Sequence, residues 1–316
     1  MRAIILKDFG GTDQLVYDEI PEPTIGTDEV LIQVYAVGIN PVDIKTRKGK
    51  GQAARLKVDP PMILGWDVSG TVVHAGENSP FRKGDEVFGM IRIPGHGKAY
   101  AEYVSAPSSH LARKPSSISH EEAAATPLAA MTAWQAIVHQ AKLQSGQRIL
   151  VQAAAGGVGH FAVQIARHLG AYVIGSSSKE KREFVLSLGA HEHVDYKAGP
   201  LENQIKSVDV VIDAIGGDNI PRSLAVLKEG GTIVSLPSGV SETVSDQAQA
   251  QGKNGIFFFV HSDANDMQQI ASLLESGTVK PHIEKIFSFD QIKAAHDHVE
   301  AGRTIGKIVV KVRGER

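Results

Sequence analysis

The strongest chemical signal is the stretch Ile149-Leu150-Val151-Gln152-Ala153-Ala154-Ala155-Gly156-Gly157-Val158-Gly159. Its three aliphatic residues read as a buried strand, and the small residues after them have the form A-x-G-x-x-G. Small side chains let the backbone turn tightly and approach a pyrophosphate, whose charge then rests on the N-terminus of the next helix. Ala154 stands where the first glycine of the dinucleotide fingerprint belongs, with Gly156 and Gly159 as the second and third. The amphipathic run from Phe161 to Arg167 supplies the helix that the motif requires. Which dinucleotide binds depends on the next strand. An NAD site places an Asp or Glu about 20 residues beyond the first glycine to accept from the ribose 2′-hydroxyl. Here the strand ends Ile174-Gly175-Ser176-Ser177-Ser178 with no acid, and Lys179-Glu180-Lys181-Arg182 follows. Hydroxyls and a cation hold a 2′-phosphate that an acid would repel. Cations at the start of a helix also oppose its macrodipole, so they call for another reason. NADPH is the expected cofactor.

A parallel sheet must carry this turn. From Arg148 onward, short strands (149–151, 172–174, 208–212, 232–236) alternate with helices at 158–169 and 179–188, each stopped by glycine. That rhythm means βαβ units. The preceding 120 residues read differently, as short strands at 30–37, 68–74, 85–90 and 100–105 between Gly- and Pro-marked turns, which suggests a β-barrel or sandwich. Residues 121–141 are Ala-rich and helical, interrupted at Pro127. Helices at 267–275 and 291–300 and a strand at 306–312 return to the first style. The expected plan is a β-rich domain of residues 1–122 and 262–316 with an inserted α/β domain of residues 123–261.

Composition narrows the function classes. The 316 residues carry 33 basic and 35 acidic side chains, a net charge of −2, so the basic excess of a nucleic-acid binder is missing. The longest aliphatic and aromatic run, Ile256 to Val260, falls far short of the roughly 20 residues of a membrane span. Asp8 interrupts any signal-like stretch after Met1, so a cytoplasmic protein without nucleic-acid or membrane partners is expected. No cysteine is present, which removes disulfides, thiol catalysis and thiolate zinc sites. None of the 13 histidines pairs with acids at a metal-like spacing, and His96, His110, His120, His160, His191 and His193 read as loop or surface residues.

Several further segments, taken in order, give the chain a resemblance. They are Asn40-Pro41-Val42-Asp43-Ile44-Lys45-Thr46-Arg47-Lys48-Gly49, Leu64-Gly65-Trp66-Asp67-Val68-Ser69-Gly70, Lys83-Gly84-Asp85-Glu86-Val87, Tyr100-Ala101-Glu102-Tyr103-Val104 and Thr132-Ala133-Trp134. With the Gly-rich turn, the whole chain resembles the zinc-free quinone oxidoreductase branch of the medium-chain dehydrogenase/reductase superfamily. The resemblance implies an α/β protein with a GroES-like β-barrel catalytic domain and an inserted Rossmann doubly wound parallel sheet. It also implies that Asn40 and Trp66 stand where zinc-bearing relatives place a cysteine and a histidine. Ser177, Lys181 and Tyr196 would then surround the adenosine 2′-phosphate beside Ser176, and Gly157 and Val158 would face the pyrophosphate. Thr132, Ile215, Leu236 and Ser238 would line the nicotinamide end. Asn40 would face the substrate cleft, while Asp43 and Arg47 would orient its turn. Lys45 replaces the tyrosine of many quinone oxidoreductases and looks like the enone and alkenal reductase subgroup.

These readings converge on an NADPH-dependent oxidoreductase that transfers hydride, without zinc, to a small conjugated carbonyl compound, a quinone or an α,β-unsaturated ketone or aldehyde. Asn40 or Lys45 would polarise the carbonyl oxygen. The other reading is a non-catalytic NADPH-binding sensor or crystallin-like structural protein. The uncharged, β-prone run Gly255 to Val260 is expected to be an edge strand through which two copies pair as a homodimer.

Overall fold

Six short strands, all parallel, run in the order Glu192–Asp195, Tyr172–Ser177, Arg148–Val151, Val208–Asp213, Leu227–Ser235 and Asn254–Phe257. Numbered along the chain this is 3-2-1-4-5-6, the doubly wound order that places ligands at the carboxyl ends beside strands 1 and 4. Ile149, Leu150 and Val151 are fully buried, because helices cover both faces of such a sheet. Asn254–Phe257 is one of the two edge strands, with Phe257 and Phe259 exposed beyond the core.

The other sheet follows the order Ile283–Ser288, Lys307–Lys311, Glu29–Ile39, Asp67–Ala75, Glu86–Met90 and Ala112–Arg113, and Tyr103–Pro107 also pairs with Glu29–Ile39. The long strand Glu29–Ile39 thus lies against three partners, and alternate residues Val30, Ile32, Val34 and Ala36 are buried without exposure. A separate antiparallel pair joins Arg2–Leu6 to Leu15–Glu19.

A computed structural model describes residues 1–313. They form two compact units, Met1–Met131 with the residues from Val260 onward, and Thr132–Phe259. The boundary lies inside helix Pro127–Trp134 and not at residue 122. The reason is helix His120–Ala125. It starts on a Ser119–Glu122 capping box, and its Ala124 and Ala125 pack on Ala36 and Val309 of the barrel sheet. Only glycine fits at Gly38, where an added Cβ would lie 2.4 Å from the Ala124 carbonyl oxygen. The alanines therefore belong to the barrel unit.

Candidate active site

Within the unit Thr132–Phe259, strand Arg148–Val151 leads through a tight turn into helix Gly157–His168. The Ala154 N–H donates to the Ser176 carbonyl at 2.9 Å, and the Gly156 N–H donates to that of Ala153 at 2.8 Å. Ala153 takes a left-handed φ of 49°, a conformation that costs an L-residue on the order of 1–2 kcal/mol. The turn is held taut by its neighbours. An added Cβ at Gly159 would lie 2.2 Å from the Ala153 carbonyl oxygen, whereas at Gly156 the nearest atom is 3.2 Å away. Gly159 lets the helix meet the turn, and Gly156, the N-cap, brings no side-chain acceptor of its own. The first-turn N–H groups of this helix, Gly157 and Val158 among them, precede its first intrahelical bond.

Strand Tyr172–Ser177 ends on Ser176 and Ser177, both 5% exposed. The Tyr196 N–H donates to the Ser177 carbonyl at 3.4 Å, so this aromatic, half exposed, stands beside the serine. Expected as one helix from 179 to 188, the next segment divides into a 3-10 turn Lys179–Lys181 and helix Arg182–Ser187. The Lys181 N–H donates to the Ser178 carbonyl at 3.0 Å, which keeps Lys181 at the strand's end. Ser176, Ser177, Lys181 and Tyr196 are therefore brought together.

At the carboxyl ends of the next two strands, the Asp213 carboxylate is fully buried. It accepts from the N–H groups of Ile215 (3.0 Å) and Gly216 (3.1 Å), the Asn219 Nδ2 (3.1 Å) and the Ser235 hydroxyl (2.8 Å). The Leu236 N–H donates to the Asp213 carbonyl at 2.9 Å. This carboxylate shapes the loop carrying exposed Ile215 and fixes the start of the segment holding Leu236 and Ser238. Sequence reasoning missed Asp213. Its signal was an acid ending the aliphatic run Val210-Val211-Ile212 beside two glycines. Thr132 is buried in helix Pro127–Trp134 of the same unit.

In the barrel unit, Asn40 ends strand Glu29–Ile39 and starts helix Pro41–Arg47. Its N–H donates to Asp43 Oδ2 at 2.8 Å, and its Nδ2 donates to Asp67 Oδ2 at 2.8 Å. The Lys307 ammonium donates to Asn40 Oδ1 and to the Ile39 carbonyl (3.1 Å) and lies 3.9 Å from Asp67. The Leu128 N–H donates to the other Asp67 oxygen at 2.8 Å. Asn40 is 1% exposed, and both ends of its carboxamide are engaged, by Asp67 and by Lys307. Burial pushes Asp43 up to about 7 and Asp67 up to about 6, the latter held from rising further by Lys307. Burial lowers Lys307 in turn. Arg47 is also buried and pairs with Glu300, whereas Asp43 orients the turn through the Asn40 backbone. Lys45 alone among residues 43–47 stays partly exposed. Trp66 is fully buried and donates its indole N–H to the Gly95 carbonyl at 3.0 Å.

Three of the six histidines read as loop or surface residues are buried, namely His96, His120 and His160. His96 bonds the Ile63 backbone, His120 stacks on Tyr35 beside the Ser69 hydroxyl, and His160 donates to the Gly156 carbonyl. Local polar partners make such burial tolerable. Among the described residues, no group of three or more His, Asp and Glu could hold a metal ion. No helix there is long and apolar enough to cross a membrane.

The alcohol dehydrogenase GroES-like domain matches residues 26–116, and the zinc-binding dehydrogenase family matches residues 188–310. The mitochondrial NAD(P)H oxidoreductase RTN4IP1 of Danio rerio is 33% identical, over 99% of this chain and 91% of its own. The 2-methylene-furan-3-one reductase of Solanum lycopersicum is 36% identical, over 98% of this chain and 79% of its own. Among solved structures, the quinone oxidoreductase from Coxiella burnetii aligns with a TM-score of 0.94 at 35% identity, over 99% of both chains.

Proposed function

The chain belongs to the medium-chain dehydrogenase/reductase superfamily of oxidoreductases, and from that premise we propose that it is a zinc-independent, NADPH-dependent reductase of conjugated carbonyl compounds. One observation carries the choice of cofactor. The strand Tyr172–Ser177 ends in two buried serines with Lys181 and Tyr196 beside them, where an NAD site would place an acid. The Gly159 contact fits a dinucleotide as well, because it draws the first helical N–H groups up to the turn. Bound there, NADPH supplies a hydride, that is, two electrons and the hydrogen nucleus. The protein's part is to hold and orient. Gly157 and Val158 offer N–H groups to the pyrophosphate, Ser177 and Lys181 hold the 2′-phosphate, and Thr132, Ile215, Leu236 and Ser238 shape the nicotinamide end.

Zinc independence rests on chemistry the chain lacks and on what it has in its place. It has no cysteine, and the Asn40 and Trp66 polar groups are committed to Asp67, Lys307 and Gly95. The relatives named above include a 2-methylene-furan-3-one reductase and a quinone oxidoreductase, which supports a conjugated carbonyl here. Lys45, partly exposed on a helix whose start is fixed by buried groups, is the cation we assign to the developing enolate oxygen. The open edge strand Asn254–Phe257 is the surface we assign to pairing with a second copy, which a sedimentation mass at micromolar concentration checks.

The test is NADPH oxidation against a panel of quinones, enones, alkenals and saturated aldehydes. Lys45→Met keeps most of the stem and removes the charge. Its turnover of enones should fall roughly tenfold or more, the equivalent of about 1.4 kcal/mol upward, while quinone reduction changes much less. Proportional losses for both classes would move Lys45 from the substrate to a supporting role. No oxidation with any carbonyl, despite tight NADPH binding, would make the protein a sensor or structural binder.

A further inference from the structure

His193 lies on the outermost strand Glu192–Asp195, directly opposite Gly175 in the neighbouring strand. Its Nε2 is 2.8 Å from the Ser177 hydroxyl oxygen, which also lies 3.2 Å from the Ser178 carbonyl. A serine has one proton to give. When His193 Nε2 is an acceptor, that proton is spent on the ring. When Nε2 carries hydrogen, His193 donates to Ser177 and frees the serine proton for another acceptor.

Resting on the NADPH reading above, we infer that His193 is a positioning residue for cofactor choice: it donates Nε2–H to Ser177, turns the serine hydroxyl toward the 2′-phosphate, and takes up a proton when that phosphate binds. The charged groups facing the ring are Arg182, from helix Arg182–Ser187, and Asp195, on its own strand. No charged residue of Tyr172–Ser177 faces it, because that strand carries none. Burial first, and then Arg182, keep the free ring below its ordinary 6.5, against the pull of Asp195. The ring is therefore neutral at pH 7.5 in the empty site. A phosphate dianion beside Ser177 reverses the local charge and favours the imidazolium. The proton comes from the solvent.

The probes are 2′,5′-ADP and 5′-AMP, titrated calorimetrically into the whole protein between pH 5.5 and 8.5, in buffers of different ionisation enthalpy. Both probes share the 5′-phosphate, so its titration cancels in the comparison. At pH 7.5, 2′,5′-ADP should bind with uptake of part of a proton and 5′-AMP with none. The preference for 2′,5′-ADP should grow as pH falls from 8.5 to about 6.5, then recede as the 2′-phosphate itself protonates near its own pKa of about 6. His193→Gln, which can donate at a similar position without titrating, should keep the preference within a few-fold and abolish the proton uptake. His193→Leu should lose about tenfold of the preference. Equal binding of the two probes by the wild-type protein would overturn the NADPH reading itself. A clear preference with no proton uptake, or uptake unchanged in His193→Gln, would leave that reading standing and overturn the role of His193.

Discussion

Replacing Lys307 by methionine should cost about 3–5 kcal/mol of stability at pH 8, because it leaves the Asp67 carboxylate buried without its cation. Lys307 is 3% exposed and Asp67 fully buried, so solvent cannot take over. The loss should depend on pH in a stated direction. Asp67 stands at about 6 in the native protein, raised from its ordinary 3.8 by burial. A carboxyl raised by folding contributes stability below its unfolded value, and the contribution is lost as pH rises through the folded value. Lys307 holds Asp67 down, so without it the folded value climbs further and the loss continues to higher pH. The penalty should therefore grow above pH 6 by up to about 1.4 kcal/mol per unit, and shrink near pH 5, where Asp67 is protonated in both proteins. Urea unfolding at pH 5 and pH 8 measures both ends. An equal loss at the two pH values would mean that lost packing, and not the charge, is responsible. Asp67→Asn on the same background should recover much of the loss at pH 8.

Gly159→Val should abolish binding of NADPH and NADH alike. The added Cβ meets backbone, the Ala153 carbonyl oxygen at 2.2 Å and the Ala154 Cα at 2.7 Å, so the helix or the turn must retreat. Each hydrogen bond to a charged phosphate that is lost in this way removes about 1.5–3 kcal/mol. Two such losses weaken binding by a hundredfold or more. Lys181→Ala provides the contrast. It should weaken NADPH by roughly ten- to a hundredfold and leave NADH nearly unchanged, since NADH has no 2′-phosphate for the ammonium to hold. Gly156→Ala, whose nearest neighbour is 3.2 Å away, should be far milder than Gly159→Val. Fluorescence titration with each nucleotide, alongside far-ultraviolet circular dichroism as a folding control, gives the comparison. If Gly159→Val binds normally, the turn is not the pyrophosphate cradle.

The parallel sheet was legible because strand and helix periods differ and because small residues at fixed spacing announce a tight turn. Tyr196 meets Ser177 through a backbone bond between adjacent strand ends, and Lys181 bonds back to Ser178 within its own turn. The Asn40 environment was not legible in the same way. Its side-chain partners Asp67 and Lys307 lie 27 and 267 residues away in sequence, and no local spacing reveals a contact of that kind. Burial of His96 and His120 was missed for a related reason, since their partners Ile63 and Ser69 lie 33 and 51 residues away, whereas His160 bonds the Gly156 carbonyl one helical turn back. The boundary at Met131, past residue 122, reflects alanines small enough to pack on a sheet, a fit that composition alone does not disclose.

The interrupted barrel unit also has a history during synthesis. Strand Lys307–Lys311 is inserted between Ile283–Ser288 and Glu29–Ile39, in the body of its sheet. Translation delivers Thr132–Phe259 as one continuous stretch before that strand exists. At about 5–20 residues per second, Lys307 follows Asp67 by roughly 12–48 seconds. The nucleotide-binding unit can close on the ribosome while the barrel is still missing two strands, and Asp67 stays hydrated until its cation emerges. The two halves of the protein are therefore completed in the reverse of the order in which they begin.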